Sequence, residues 1–177
     1  MTKEKYSKTA YMALAALFAA LTAVCSWISI PLGFTPIPMN LATLAVFLAG
    51  GFLGPKYGSV SLTVYALVGA AGAPVFAGFR GGFSVIAGPT GGFIIGYIVA
   101  AFIVGLICSR NRSIPGIVSA MILAMISCYT LGTIWFIIIT HTNVPAALLS
   151  CVVPFLPGDA IKIAAGTFLL RRLSLHL

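Results

Sequence analysis

Long stretches of this chain contain no charged residue at all, and that constrains its fold more than any other feature. Between Lys8 and Lys56, and again between Arg112 and Asp159, there is no Lys, Arg, Asp or Glu. Only 12 of the 177 residues are charged, 10 basic and 2 acidic. That is 7%, where soluble domains carry about 25%. Such a chain cannot cover a globular surface with charge. Its hydrophobic content of 60% also excludes disorder. A net charge of +8 suggests nucleic-acid binding only if it is clustered on a basic face of a soluble fold. Membrane insertion accounts for it better, because Lys and Arg mark cytoplasmic loops.

A spanning helix needs roughly 20 mostly apolar residues. The runs between charges, prolines and glycine pairs fall at about 9–31, 39–54, 58–76, 90–108, 115–140 and 145–170. The second is short, and Pro154 and Pro157 interrupt the sixth. Charge distribution tests this count independently. With the N-terminus inside, six helices place Lys3, Lys5, Lys8, Lys56, Arg110, Arg112, Arg171 and Arg172 on the cytoplasmic side. The outward 1–2 and 5–6 loops then hold no Lys or Arg, and five or seven helices would break the alternation. The expected fold is all-α and integral to the membrane. It is a single domain over 1–177, with six transmembrane helices and both termini cytoplasmic.

Several familiar signals are decoys. Residues 1–25 have the basic start and apolar run of a signal peptide, but Val24 precedes Cys25 and no clear Ala-x-Ala site follows, so the segment is read as helix 1. Cys25, Cys108, Cys128 and Cys151 form no CxxC pair, and His141 and His176 have no partner at i±4. The cysteines are read as small packing residues, and no metal site is expected. Neither a Walker-type G-x-x-x-x-G-K-[ST] nor a G-x-S-x-G motif is present, so the chain has no ATP site of that type of its own.

With Glu4 in the polar N-terminal tail among lysines, three charges are left without a topological role. Asp159 and Lys162 lie in the sixth apolar run, and Arg80 in the outward 3–4 connection. An ionisable residue at membrane depth is a functional-site candidate by default. At i, i+3 the Asp and Lys share a helix face and can neutralise each other. The Pro154-Phe155-Leu156-Pro157-Gly158 stretch should break the helix and restart it near Pro157. Asp159 then falls in a first turn, where the helix dipole favours an anion. Broken helices at depth hold polar substrates in many transporters; a purely structural ion pair is the alternative.

The connection itself is rich in glycine, from Gly69 to Gly96, with Gly78-Phe79-Arg80-Gly81-Gly82-Phe83 and Gly88-Pro89-Thr90-Gly91-Gly92-Phe93. The intervening 83–87 is too short to span. A loop re-entering the protein is expected, since irregular backbone at depth must be buried or line a cavity. An ordinary outward loop with one exposed Arg is the alternative. In helix 1, Ala15, Ala19 and Ala23 follow at i, i+4, i+8, beside Ala16 and Ala20. Such a stripe of small residues packs closely, either inside the protein or against a partner.

Taken jointly, Gly-Phe-Arg-Gly-Gly (78–82), Gly-Pro-Thr-Gly-Gly-Phe (88–93) and Pro-Phe-Leu-Pro-Gly-Asp-Ala-Ile-Lys (154–162) resemble the BioY family, biotin-binding S components of energy-coupling-factor (ECF) transporters. Thr35-Pro36-Ile37-Pro38, Leu48 to Pro55 (LAGGFLGP) and Gly72-Ala73-Pro74-Val75-Phe76 are similar too. One departure is visible: after Pro38 the family usually reads Thr and then Gln, where this chain has Asn40 and Ala42. The resemblance implies the six-helix S-component fold and biotin bound near the outer face. It implies partners in a transmembrane T subunit and two ATPase subunits, which alone use ATP, and a prokaryotic cell membrane as location. It favours the docking reading of the helix 1 alanines. It implies no enzyme activity and no cofactor.

Biotin combines an apolar bicycle and chain with a ureido group and one carboxylate. Asp159 can accept from a ureido N–H, and Lys162 and Arg80 can donate to either polar end. Backbone around Gly81, Gly82 and Thr90 can add donors, and Asn40 a side-chain amide. Tyr65, Phe76, Phe79 and Phe83 are candidates for the apolar wall. Other readings are an S component for another small vitamin, a stand-alone biotin carrier, an intramembrane enzyme using Asp159, and a proton-coupled carrier.

Overall fold

The computed structural model describes residues 7–174; Lys3, Glu4, Lys5 and His176 lie outside them. The chain runs α1 (Lys8–Trp27), β1 (Ser29–Ile30), β2 (Met39–Asn40), α2 (Ala42–Ala70), α3 (Phe83–Ala87), α4 (Gly91–Arg110), α5 (Ile114–Thr140), α6 (Val144–Cys151), a 3-10 turn (Val153–Phe155) and α7 (Leu156–Ser174). The helix starts follow local chemistry. Ser7, Ser113 and Asn143 each accept a hydrogen bond from a backbone N–H three residues on, which satisfies an orphan donor of the first turn. Pro115 and Pro145 lie in the first turns of α5 and α6, where a missing N–H costs nothing.

Among the described residues, four helical runs are long and apolar enough to cross a membrane: Lys8–Trp27, Gly91–Arg110, Ile114–Thr140 and Val144–Leu173. Their outer faces carry exposed side chains such as Met12, Leu17, Ile126 and Ile138. An apolar exterior suits lipid, which needs no polar shell. Helix α1 ends at Trp27, short of the expected 31, because the chain turns into the β1–β2 ribbon, with Ser29 opposite Asn40 and Ile30 opposite Met39.

The expected second and third helices are the two limbs of α2. The break is at Gly54, at φ 77 and ψ −178, a backbone region essentially restricted to glycine. Pro55 then opens the second limb. The limbs fold back on each other: a Cβ at Gly58 would stand 2.9 Å from Gly50 Cα, whereas eight residues of straight helix span about 12 Å. Arg112 Nη2 donates to the Gly51 carbonyl at 3.2 Å and so caps the end of the first limb. This gives Arg112 a structural role besides the topological one expected of it.

Helices α2, α4 and α5 form the packed centre, with α1 and α7 against α2. Small residues bring them close: a Cβ at Gly50 would lie 2.4 Å from the Ala101 carbonyl oxygen. The Ala15–Ala19–Ala23 stripe is part of this packing. All three are buried, Ala15 to 2% exposure, and Ser61 Oγ of α2 donates to the Ala15 carbonyl at 2.7 Å. The stripe is covered by its own chain, which matches the internal-packing alternative for these three residues. Ala16 and Ala20 are exposed.

A candidate ligand pocket between the helices

The sixth apolar run is broken as its prolines require. Helix α6 ends at Cys151, the 3-10 turn carries Pro154 and Phe155, and α7 starts at Leu156 with Asp159 in its first turn. The interruption aims the first turn of α7 into a pocket rather than along an unbroken helix. Asp159 is 3% exposed and Lys162 7%. Lys162 Nζ lies 2.8 Å from Asp159 Oδ1 and donates also to Thr43 Oγ1 of α2 at 3.0 Å. The second carboxylate oxygen, Oδ2, accepts from the Tyr129 hydroxyl of α5. Each charge is thus paired and hydrogen-bonded, as burial demands.

The pocket around this pair has about 800 Å³ of free space, counting the open solvent at its mouth. From α2 come Thr43 and Tyr65, from α4 Phe93, Ile94 and Tyr97, from α5 Met125, Cys128 and Tyr129. Spacing i, i+3, i+4 puts the last three on one helix face. Tyr65 donates to Ser26 Oγ at 3.2 Å and meets the Phe76 ring edge-on at 5.4 Å. The walls are mostly apolar and aromatic, with a few convergent polar groups.

Arg80 reaches the same pocket from the glycine-rich connection, but it is exposed. It lies on a tight loop closed by Phe76 N–H to the Arg80 carbonyl at 2.9 Å. Both tryptophans of the chain pin this connection. Trp27 Nε1 donates to the Pro74 carbonyl at 2.8 Å, and Trp135 Nε1 to the Gly88 carbonyl at 2.9 Å.

Seven of the expected site residues line the pocket: Arg80, Asp159, Lys162, Asn40, Tyr65, Phe76 and Thr90. Asn40 also accepts from Ala42 N–H at 3.0 Å, which starts α2. Thr90 Oγ1 donates to the Val85 carbonyl at 3.4 Å. Four do not line it. Phe79 and Phe83 are 64% and 71% exposed, and Phe79 stacks on Trp27 at 5.0 Å between centroids. Gly81 serves close packing, since a Cβ there would lie 2.2 Å from the Ala73 carbonyl oxygen, and Gly82 serves a φ of 101. The expected re-entry is limited: no residue of α3 is buried, and Val85 alone of that helix lines the pocket.

Tyr129, Thr43 and Tyr97 were not foreseen from the sequence. The one signal for Tyr129 was its hydroxyl, which needs a partner in the middle of the longest apolar run. Among the described residues, no group of three or more His, Cys, Asp or Glu is placed to hold a metal ion.

A family model described as the BioY family matches residues 1–177. The chain belongs to the BioY family. It is 38% identical over 159 residues to the biotin transporter BioY of Thermotoga maritima, covering 90% of this chain and 92% of that one. It is 39% identical over 166 residues to a probable biotin transporter BioY of Pyrococcus horikoshii, covering 94% and 97%. Among solved structures, the S component for biotin from an ECF-type ABC transporter superposes with a TM-score of 0.86 at 29% identity, over 98% of this chain and 94% of that one. These BioY relatives are transporters, and an intramembrane enzyme finds no counterpart among them. Family membership and the apolar helices make this a membrane transport protein.

Proposed function

We propose that the chain is the substrate-capture subunit of a biotin uptake system. The observation that carries this is the charge layout of one pocket: a buried, mutually neutralised Asp159–Lys162 pair and an exposed Arg80. A neutral pair leaves hydrogen-bonding capacity without net charge, which suits a ureido ring offering N–H donors and a carbonyl acceptor. A single exposed cation at the rim suits the carboxylate of the valeryl chain. The ligand then lies with its ureido ring toward α7 and its chain toward the mouth. Tyr65, Phe76, Phe93 and Tyr97 contact the apolar bicycle.

The same reading takes six spans with both termini cytoplasmic, counting the limbs of α2 separately, in a prokaryotic cell membrane. An ECF T subunit and two ATPases supply the energy, and the exposed Ala16–Ala20 face of α1 is the contact offered to the T subunit. Calorimetry of the purified protein against biotin, riboflavin, thiamine and lipoate tests the substrate. Saturable binding of biotin alone is expected, and binding of another vitamin in its place rejects the assignment. Biotin uptake by vesicles that hold the chain without T subunit or ATPases would reject the need for a module.

A further inference from the structure

Asp159 is held from two directions. Lys162, on the same helix, reaches Oδ1, and Tyr129, on α5, reaches Oδ2. Lys162 is tied in turn to Thr43 of α2. The terminal torsion of an aspartate is broad and roughly two-fold. One donor on Oδ1 leaves the carboxylate plane free to turn, whereas a second donor on Oδ2 from another helix fixes it. Tyr129 also lines the pocket and is only half-buried, so its ring stands beside any occupant while its hydroxyl is engaged by the carboxylate.

We infer that Tyr129 is a positioning residue that sets the orientation and effective charge of Asp159 toward the ligand. This rests on the biotin reading above. With Tyr129 and Lys162 both donating, the carboxylate presents as an acceptor for a neutral N–H. Without the Tyr129 hydroxyl it turns more freely and carries less compensated negative charge. The pocket then discriminates less against a cationic ring. Fixing the carboxylate in advance also removes an ordering cost from binding.

The test compares biotin with 2-iminobiotin, whose cyclic guanidine is protonated at pH 7, in calorimetry on the full chain in detergent. Tyr129→Phe keeps the ring and removes only the hydroxyl. Biotin affinity should fall about tenfold, while the iminobiotin-to-biotin affinity ratio rises at least threefold. Equal losses for both ligands would mean a merely structural role and overturn the inference, as would unchanged binding of both. In an Asp159→Asn background, where there is no charge to orient, Tyr129→Phe should leave the ratio unchanged; a rise there also overturns it. If the Phe variant does not fold, Tyr129→Met, flexible and hydroxyl-free, carries the same comparison. Wild-type protein that binds neither ligand overturns the substrate reading itself, a result distinct from an unchanged ratio.

Discussion

Lys162 Nζ donates to Thr43 Oγ1 across 3.0 Å, joining the first turns of α7 to the first turn of α2. This bond and the ion pair to Asp159 use two of the three ammonium hydrogens. The buried cation therefore braces two helices while keeping one donor in hand.

Removing one partner of this pair should be far worse than removing both. Lys162→Ala strands a buried carboxylate and is expected to cost about 3–5 kcal/mol. Asp159→Leu combined with Lys162→Met replaces both charges by apolar groups and should recover most of that loss without restoring ligand binding. Thermal melts in detergent and radiolabelled biotin binding separate the two effects. A double variant no more stable than Lys162→Ala would show that the pair is not what the fold depends on.

Arg80 is exposed, so Arg80→Ala should leave the melting temperature nearly unchanged. Loss of a charge-assisted hydrogen bond worth about 1.5–3 kcal/mol should weaken biotin roughly ten- to hundredfold. Biotin methyl ester has no carboxylate to lose that bond and should bind wild type and variant alike. Titrating both ligands against both proteins checks the orientation proposed for the ligand.

Gly54 has open space around it, with nothing within 4 Å of an added Cβ. Gly54→Ala therefore probes the backbone alone. Its φ of 77 with ψ −178 should cost an alanine about 1–3 kcal/mol, seen as a lower melting temperature without change in ligand specificity.

On α1, neighbouring alanines should behave oppositely. Ala19 is buried at 7% exposure, and Ala19→Leu should overpack the α1–α2 contact at a cost of about 1–3 kcal/mol. Ala20 is exposed, so Ala20→Leu should leave stability and biotin binding intact. It should reduce co-purification with a T subunit if that face docks there.

The connection pinned by the two tryptophans should loosen when one pin is removed. Trp27→Phe loses the bond to the Pro74 carbonyl, worth about 1 kcal/mol, and weakens the stack that holds Phe79. Trypsin cleavage after Arg80 should become faster than in wild type, and saturating biotin should slow it in both. Equal cleavage rates in the two proteins would show that Trp27 does not restrain this loop.

The sequence by itself determined the features that depend on local chemistry. Apolar run length and the place of Lys and Arg marked a membrane protein. Pro154 and Pro157 forecast the break before α7, and the i, i+3 spacing forecast the Asp159–Lys162 pair. A charge at depth needs a reason wherever it occurs, so these residues were conspicuous without a structure. Which way an apolar side chain points was not legible in the same way. Lipid is about as apolar as a protein core, so a helix in this chain is hydrophobic all round and its sequence does not distinguish inner face from outer. Phe76 turned inward while Phe79 and Phe83 turned outward, and Ala15, Ala19 and Ala23 packed against α2. Tyr129 met Asp159 only because α5 and α7 lie side by side. Those outcomes belong to helix packing, where partners 30 or more residues apart in sequence decide the environment of each side chain.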